Sequence, residues 1–149
     1  MWGKNHEIAV ITACATGTWD NFSLFNCFCT FTGRVGPASN WSYGTEKAYN
    51  ALRMAMTLQK EHGDKVEIKI FLLADAVFCG LPDQRTPNGY YNIERMLKIV
   101  IRNGGEVKSC GGCSEARGID KVPFIEGVHL SNMKEFAQWT VECDKVLTF

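Results

Sequence analysis

From residue 43 onward, the apolar positions of the chain alternate between helix-like and strand-like periods. The first such segment, "TEKAYNALRMAMTLQKEHG", repeats its apolar residues at helical spacing, with Thr45 as the expected N-cap and Gly63 as the expected stop. The next segment, "KVEIKIFLLADAV", alternates from Val66 to Ile70 and then becomes continuously apolar. That change predicts a strand whose end lies deep in a core.

Two more helices and three short strands are predicted farther along the chain. "YNIERMLKIVIRNGG" predicts a helix capped by Asn92, whereas "EVKSC", "GVHLS" and "KVLTF" predict strands. In "SNMKEFAQWTVECD" we expect Ser131 as the N-cap and Trp139 off the apolar face, which makes Trp139 a candidate for an interface between copies of the chain. The expected apolar face of this helix consists of Met133, Phe136, Ala137, Thr140 and Val141.

The stretch before Tyr43 is harder to interpret. "EIAVITA", Glu7–Ala13, is the preferred first strand, although "FSLFNCFCTF", Phe22–Phe31, is also strand-like. Residues 32–42 have the composition of a loop. We therefore expect this stretch to contribute one strand to the sheet and to be irregular elsewhere.

The alternation of strands and helices predicts an α/β fold with a mostly parallel sheet, covered by helices on both faces. In such sheets ligands bind at the carboxyl ends of the strands. Asp75 follows one predicted strand, Cys110 ends another, and Tyr43 with Gly44 directly precedes the first clear helix. We expect these residues to lie along the same edge of the sheet.

Composition narrows the class of protein. The chain has 149 residues, about one domain, and its formal net charge of zero gives no indication of nucleic-acid binding. Its apolar runs are too short to cross a bilayer, and the interruption "NHE" near the start argues against a signal peptide. Seven cysteines are an odd number, so they cannot all pair internally, and a reducing cytoplasm is the expected location.

The segment "VKSCGGCSEARG" permits four interpretations of Cys110 and Cys113. A zinc site needs further ligands, and Cys27 and Cys29 form a CxC rather than a second CxxC. A reversible disulfide is possible because the motif falls between a strand and a helix start. A reactive thiolate is possible because backbone N–H groups and Arg117 can stabilise the anion. Simple packing beside a glycine turn is the fourth interpretation, and the motif alone leaves all four open.

Six segments in order carry a resemblance that covers nearly all of residues 43–149. On them the chain resembles the DsrE/DsrF-like family, and within it the small YchN-like members. The segments are "YGTEKAYNALRMAMTLQ", "IKIFLLADAV", "GYYNIERMLKIV", "VKSCGGCSEARGI", "PFIEGV" and "FAQWTVECDKVLTF".

The resemblance implies a single domain over residues 1–149, with an atypical segment at 1–42 and a family-like core at 43–149. The implied fold is a three-layer α/β/α sandwich with a five-stranded, mainly parallel sheet. Before Tyr43 the chain departs from the family, whose members run from a short first strand into a "PYG" turn within a few residues, whereas "WSYG" stands here.

The resemblance also implies a function. Relatives include subunits of sulfur-relay complexes, in which a cysteine carries sulfane sulfur as a persulfide, and that cysteine falls at Cys110. Cys113 and Arg117 match the text around it, and Cys113 is expected to resolve the persulfide or to protect Cys110 from overoxidation. Asp75, Tyr43 and Gly44 match positions at the edge of a ligand pocket.

The implied protein is a cytoplasmic sulfur carrier that needs no metal or organic cofactor. Its expected partners are a sulfur donor protein, an acceptor protein and further copies of itself in a trimer or hexamer, with no nucleic acid and no membrane. The alternative is a non-catalytic oligomeric binding module with a small-ligand pocket at the carboxyl ends of the strands, since a fold does not by itself determine function.

Overall fold

A computed structural model of the chain describes residues 6–13, 46–63 and 65–149. The strands are β1 His6–Ala13, β2 Val66–Leu73, β3 Glu106–Cys110, β4 Val128–Ser131 and β5 Lys145–Thr148. The helices are α1 Lys47–His62, α2 Ile93–Arg102, α3 Gly111–Glu115 and α4 Met133–Glu142, and a 3₁₀ segment spans Ala74–Gly80.

The strands form one sheet in the order β4-β3-β2-β1-β5, and each neighbouring pair is parallel. The prediction of an α/β fold with a parallel sheet is thereby confirmed. The preference for Glu7–Ala13 as the first strand is also confirmed, because β1 covers it and pairs with β2 and β5. The competing segment Phe22–Phe31, the predicted loop at 32–42, and the residues Tyr43 and Gly44 lie outside the described residues.

The side chains of β2 separate the core into two clusters, because successive residues of a strand point to opposite faces. Ile68, Ile70 and Leu72 are buried in one cluster together with residues of α1 and α2. Phe71 is buried in the other cluster, where it packs against Phe136 of α4 at 4.7 Å between ring centroids. Helices therefore pack on both sides of this strand.

Of the three predicted N-caps, Thr45 lies outside the described residues, and the other two had different outcomes. Asn92 caps α2 as predicted, since its side chain accepts a hydrogen bond of 2.8 Å from the Arg95 N–H. The prediction of Ser131 as the N-cap of α4 is wrong by one residue. Ser131 is the last residue of β4 and pairs with Cys110. Asn132 caps α4 instead, because its side-chain oxygen accepts hydrogen bonds from the N–H groups of residues 134 and 135.

The predicted apolar face of α4 was also wrong in part. Phe136 is buried, but the second buried residue is Trp139, which is only 5% exposed and meets the Phe71 ring edge-on at 6.0 Å. The physical reason is area: an indole buries more apolar surface against the sheet than an alanine or valine does. The other four residues of the predicted face are exposed, namely Met133, Ala137, Thr140 and Val141. Trp139 consequently no longer supports an interface between copies.

Within the described ranges, no helix is long and apolar enough to cross a membrane.

Candidate functional site

The carboxyl end of β2 places a strained backbone turn at the edge of the sheet. Ala74 directly follows the strand and has a φ of 51°, a left-handed conformation that an alanine rarely adopts. In this conformation its N–H donates to the Sγ atom of Cys113 at 3.3 Å. Asp75 follows in the first turn of the 3₁₀ segment. Strain of this kind often marks a functional site, and here it aims a backbone donor at a thiol.

The neighbouring strand β3 ends at Cys110, which caps the short helix α3. The Sγ atom of Cys110 accepts a hydrogen bond of 3.4 Å from the Cys113 N–H. Cys110 is only 5% exposed, whereas Cys113 is half-buried, and both thiols are free. The two sulfurs thus lie on one helical turn, each beside a backbone N–H donor.

Buried serines hold this turn in place from below. Ser114 is fully buried, and its hydroxyl donates to the Cys110 carbonyl at 2.9 Å. Ser109, also fully buried, has its hydroxyl 3.4 Å from that of Ser114. On the outer side, a Cβ atom added at Gly112 would meet nothing within 4 Å. The turn is therefore anchored toward the core and open on its outer side.

Arg117 connects the segments that follow the carboxyl ends of β2 and β3. Its Nε and Nη2 atoms donate to Oδ1 of Asp75 at 2.8 and 2.5 Å, and its Nη1 donates to the Cys113 carbonyl at 3.1 Å. The guanidinium is a quarter exposed and the Asp75 side chain about a third, so solvent weakens the ion pair. The planar guanidinium therefore fixes the position of Asp75 relative to the Cys113 carbonyl, in addition to supplying charge.

The ionisation of Cys113 reflects these surroundings. Burial is the largest effect and raises the pKa of the Cys113 thiol above its ordinary value, because an apolar environment disfavours the thiolate. The hydrogen bond with the Cys110 thiol raises this pKa further. The Ala74 N–H and the Arg117 guanidinium lower it in part, so the net direction is upward. Cys113 therefore rests mainly as a neutral thiol near neutral pH.

The structure brings together four of the six site residues proposed from sequence: Asp75, Cys110, Cys113 and Arg117. The other two, Tyr43 and Gly44, lie outside the described residues. Sequence reasoning missed Ala74, since its contribution is a backbone N–H in a conformation that the residue type does not indicate. No group of three or more metal-binding side chains occurs in the part of the chain that the structure describes.

Comparisons with known proteins identify the family of this chain and several of its relatives. A model of the DsrE/DsrF-like family matches residues 38–149. Protein YchN of Escherichia coli strain K12 is 41% identical over 112 residues, which are 75% of this chain and 94% of that protein. An uncharacterized protein of Methanopyrus kandleri is 46% identical over 107 residues, 72% of this chain and 85% of that one.

A solved structure extends the similarity. The crystal structure of the ychN protein from E. coli superposes with a TM-score of 0.71, covering 97% of this chain and 99% of that chain. Over this wider alignment the identity is 31%.

Proposed function

This chain belongs to the DsrE/DsrF-like family, and on that premise we propose that it is a sulfur carrier in which Cys110 accepts sulfane sulfur as a persulfide. The observation that carries the proposal is the position of Cys110. It ends the interior strand β3 at the carboxyl edge of the sheet, and its sulfur accepts a hydrogen bond from the Cys113 N–H at 3.4 Å. A sulfur held beside a backbone donor at the edge of the sheet is positioned to act as the nucleophile in sulfur exchange.

The proposed transfer follows thiol–disulfide chemistry. The Cys110 thiolate attacks the outer sulfur of a donor persulfide, the S–S bond of the donor breaks, and the donor leaves as a thiolate. Transfer onward repeats the step, with an acceptor thiolate attacking the outer sulfur now held on Cys110. Each step exchanges one S–S bond for another, so neither requires an oxidant or a reductant.

The neighbouring residues have distinct proposed roles. Arg117 places its charge beside the turn that carries both thiols and is held there by Asp75 and by the Cys113 carbonyl. Asp75 therefore orients the guanidinium and offsets part of its charge. Tyr43 and Gly44 are proposed, from the resemblance alone, to complete the edge of the pocket.

One observation favours the alternative, a non-catalytic binding module. Cys110 is 5% exposed and belongs to the same buried cluster as Phe71, as a cysteine that only packs would. In that case the site at the strand ends binds a small anion through Arg117, and the thiols do not react.

Mass spectrometry distinguishes the two functions. The reduced protein is incubated with inorganic polysulfide, desalted and measured intact. We expect the mass of added sulfur on wild type and on Cys143→Ser, a control at a half-buried thiol elsewhere, and no addition on Cys110→Ser. Equal addition to Cys110→Ser and wild type would favour the binding module.

The finer architecture and assembly are also proposals. Burial of residues on both faces of β2 supports a three-layer α/β/α sandwich around the sheet of β4, β3, β2, β1 and β5. Leu130 on edge strand β4 and Met133 at the start of α4 are about half exposed, which supports a homo-oligomer, proposed as a trimer or hexamer. Light scattering at micromolar concentration tests the assembly. A carrier that depends on free thiols suits a reducing compartment, and we propose the cytoplasm.

A further inference from the structure

The two thiols on the first turn of α3 differ in their access to solvent. Cys110 is 5% exposed, whereas Cys113 is half-buried. A thiol of another molecule consequently has little access to the Sγ atom of Cys110 itself, so an acceptor attacks the outer sulfur of the persulfide instead. Cys113 lies on the same helical turn, where its N–H donates to that sulfur at 3.4 Å and its thiol is hydrogen-bonded with the Cys110 thiol.

We propose that Cys113 discharges a sulfur-loaded Cys110 by closing a Cys110–Cys113 disulfide and releasing hydrogen sulfide. The inference rests on the function proposed above. It makes Cys113 a second catalytic residue, and it makes the protein a source of sulfide whenever no acceptor takes the sulfur.

The atoms and electrons of this step balance within the protein. The Cys113 thiolate attacks the Sγ atom of the Cys110 persulfide, and the bond between that Sγ and the outer sulfur breaks. The outer sulfur leaves with the electron pair as hydrosulfide and takes up the proton that Cys113 lost. It is reduced by two electrons, while the two cysteine sulfurs are oxidised to the disulfide. A thiol reductant, such as a dithiol, restores the resting state.

The local geometry is compatible with ring closure. Residues three apart on a helical turn have Cβ atoms about 5–6 Å apart, whereas a disulfide needs about 3.5–4.5 Å, so closure requires the two Cβ atoms to approach each other by about 1–2 Å. The small shift required falls on Gly111 and Gly112, the second of which has open space around its Cα. The strained Ala74 N–H, 3.3 Å from the Cys113 sulfur, keeps that sulfur on the inner side of the turn and stabilises it when it ionises.

Protonation sets the pace of discharge. Because burial raises the pKa of the Cys113 thiol, only a small fraction is thiolate near neutral pH. Loaded Cys110 therefore persists long enough for an acceptor to reach it, and the release of sulfide accelerates as the pH rises. The rate is expected to increase about tenfold per pH unit below the pKa of Cys113, as the thiolate fraction does.

Loading with inorganic polysulfide, followed by rapid desalting, tests the proposal on the full chain. Free sulfide and the intact mass are followed with time. We expect wild type to lose its added sulfur, to release one sulfide per chain and to end two hydrogens lighter than the reduced protein. Cys113→Ser is expected to keep its sulfur, and Cys143→Ser, a matched half-buried thiol outside the site, is expected to behave as wild type. Cys113→Ala replaces the serine variant if circular dichroism shows that the latter is unfolded.

The two proposals fail in different ways. If both wild type and the Cys113 variant gain sulfur and keep it equally long, without a disulfide in wild type, the discharge step is overturned and the carrier function stands. If neither protein gains sulfur, the carrier function is overturned and the discharge step with it.

Discussion

Arg117 donates two hydrogen bonds to a single oxygen of Asp75, Oδ1, and so joins the segment after α3 to the turn after β2 across the carboxyl edge of the sheet. A third bond, to the Cys113 carbonyl, ties the same guanidinium to the turn that carries both thiols. Charge and position at this site therefore depend on one side chain.

Removal of the charge of Arg117 should slow sulfur loading without abolishing it. We expect Arg117→Ala to reduce the rate by up to about tenfold, which corresponds to the loss of about 1.4 kcal/mol of charge stabilisation during transfer. Asp75→Asn removes the opposing charge and keeps the shape, so we expect loading at least as fast as in wild type. The measurement is the rate of polysulfide addition by mass spectrometry. Arg117→Ala that loads as fast as wild type would contradict a role for this charge.

The raised pKa of Cys113 predicts how its labelling depends on pH. At pH values below that pKa the thiol is protonated, so alkylation of Cys113 is expected to be slower than that of an exposed cysteine near pH 7 and to rise about tenfold per pH unit. Peptide mapping after brief exposure to iodoacetamide measures this site by site. Labelling of Cys113 that does not change between about pH 7 and pH 9 would be inconsistent with burial as the cause.

Truncation of Trp139 should lower the stability of the chain more than truncation of an exposed residue of α4 does. It is 5% exposed, contacts the Phe71 ring edge-on, and has the Lys108 Nζ 4.3 Å from its ring centroid. Trp139→Ala is expected to lower the free energy of unfolding by about 3–5 kcal/mol, as truncation of a buried aromatic residue does. Val141→Ala on the same helix, where the side chain is 83% exposed, should change it by less than about 0.5 kcal/mol. Urea unfolding followed by circular dichroism compares the two variants, and similar losses would mean that Trp139 does not anchor the helix.

Glu94 should make the stability of the chain depend on pH on the acid side. Its hydrogen bond to Lys98 lowers the pKa of this carboxyl most, and the Gln84 N–H lowers it further. A carboxyl with a lowered pKa contributes stability above its unfolded pKa and loses that contribution as pH falls through its folded pKa. Glu94→Gln is expected to cost on the order of 1 kcal/mol at neutral pH and to cost nothing once the wild-type carboxyl is protonated. If Glu94→Gln lowers the free energy of unfolding equally at neutral pH and at the acid pH where the wild-type carboxyl is protonated, the effect comes from side-chain shape and not from charge.

The elements that sequence predicts well are those whose signals are local. The alternating run of β2 fixes which residues face each side, and the Asn92 side chain caps α2 through a bond to the N–H of a residue only three positions along. Ser131 and Asn132 are both good caps, and only the pairing of Ser131 with Cys110 across the sheet decides between them. That choice depends on a register that the helix sequence does not contain.

The proximity of Asp75 and Cys110 was predictable from sequence, whereas the contacts around them were less so. Parallel strands bring their carboxyl ends to one edge, which is why Asp75 and Cys110 were expected to lie together. The partner of Arg117 was not predictable, because Asp75 lies 42 residues earlier and the contact depends on the turn between them and β2. The role of Ala74 depends on a left-handed backbone conformation, which the presence of an alanine in the sequence does not predict.

The order of strands in the sheet has a consequence for the route by which this chain folds. β1 lies between β2 and β5, so Ile8 pairs with Lys145 although most of the chain separates them. Bringing such distant segments together costs more loop-closure entropy than the nearer pairing of β2 with β3. Non-local pairing of this kind slows folding. We therefore expect β2 and β3 to form an early nucleus and the β1–β5 pair to close last.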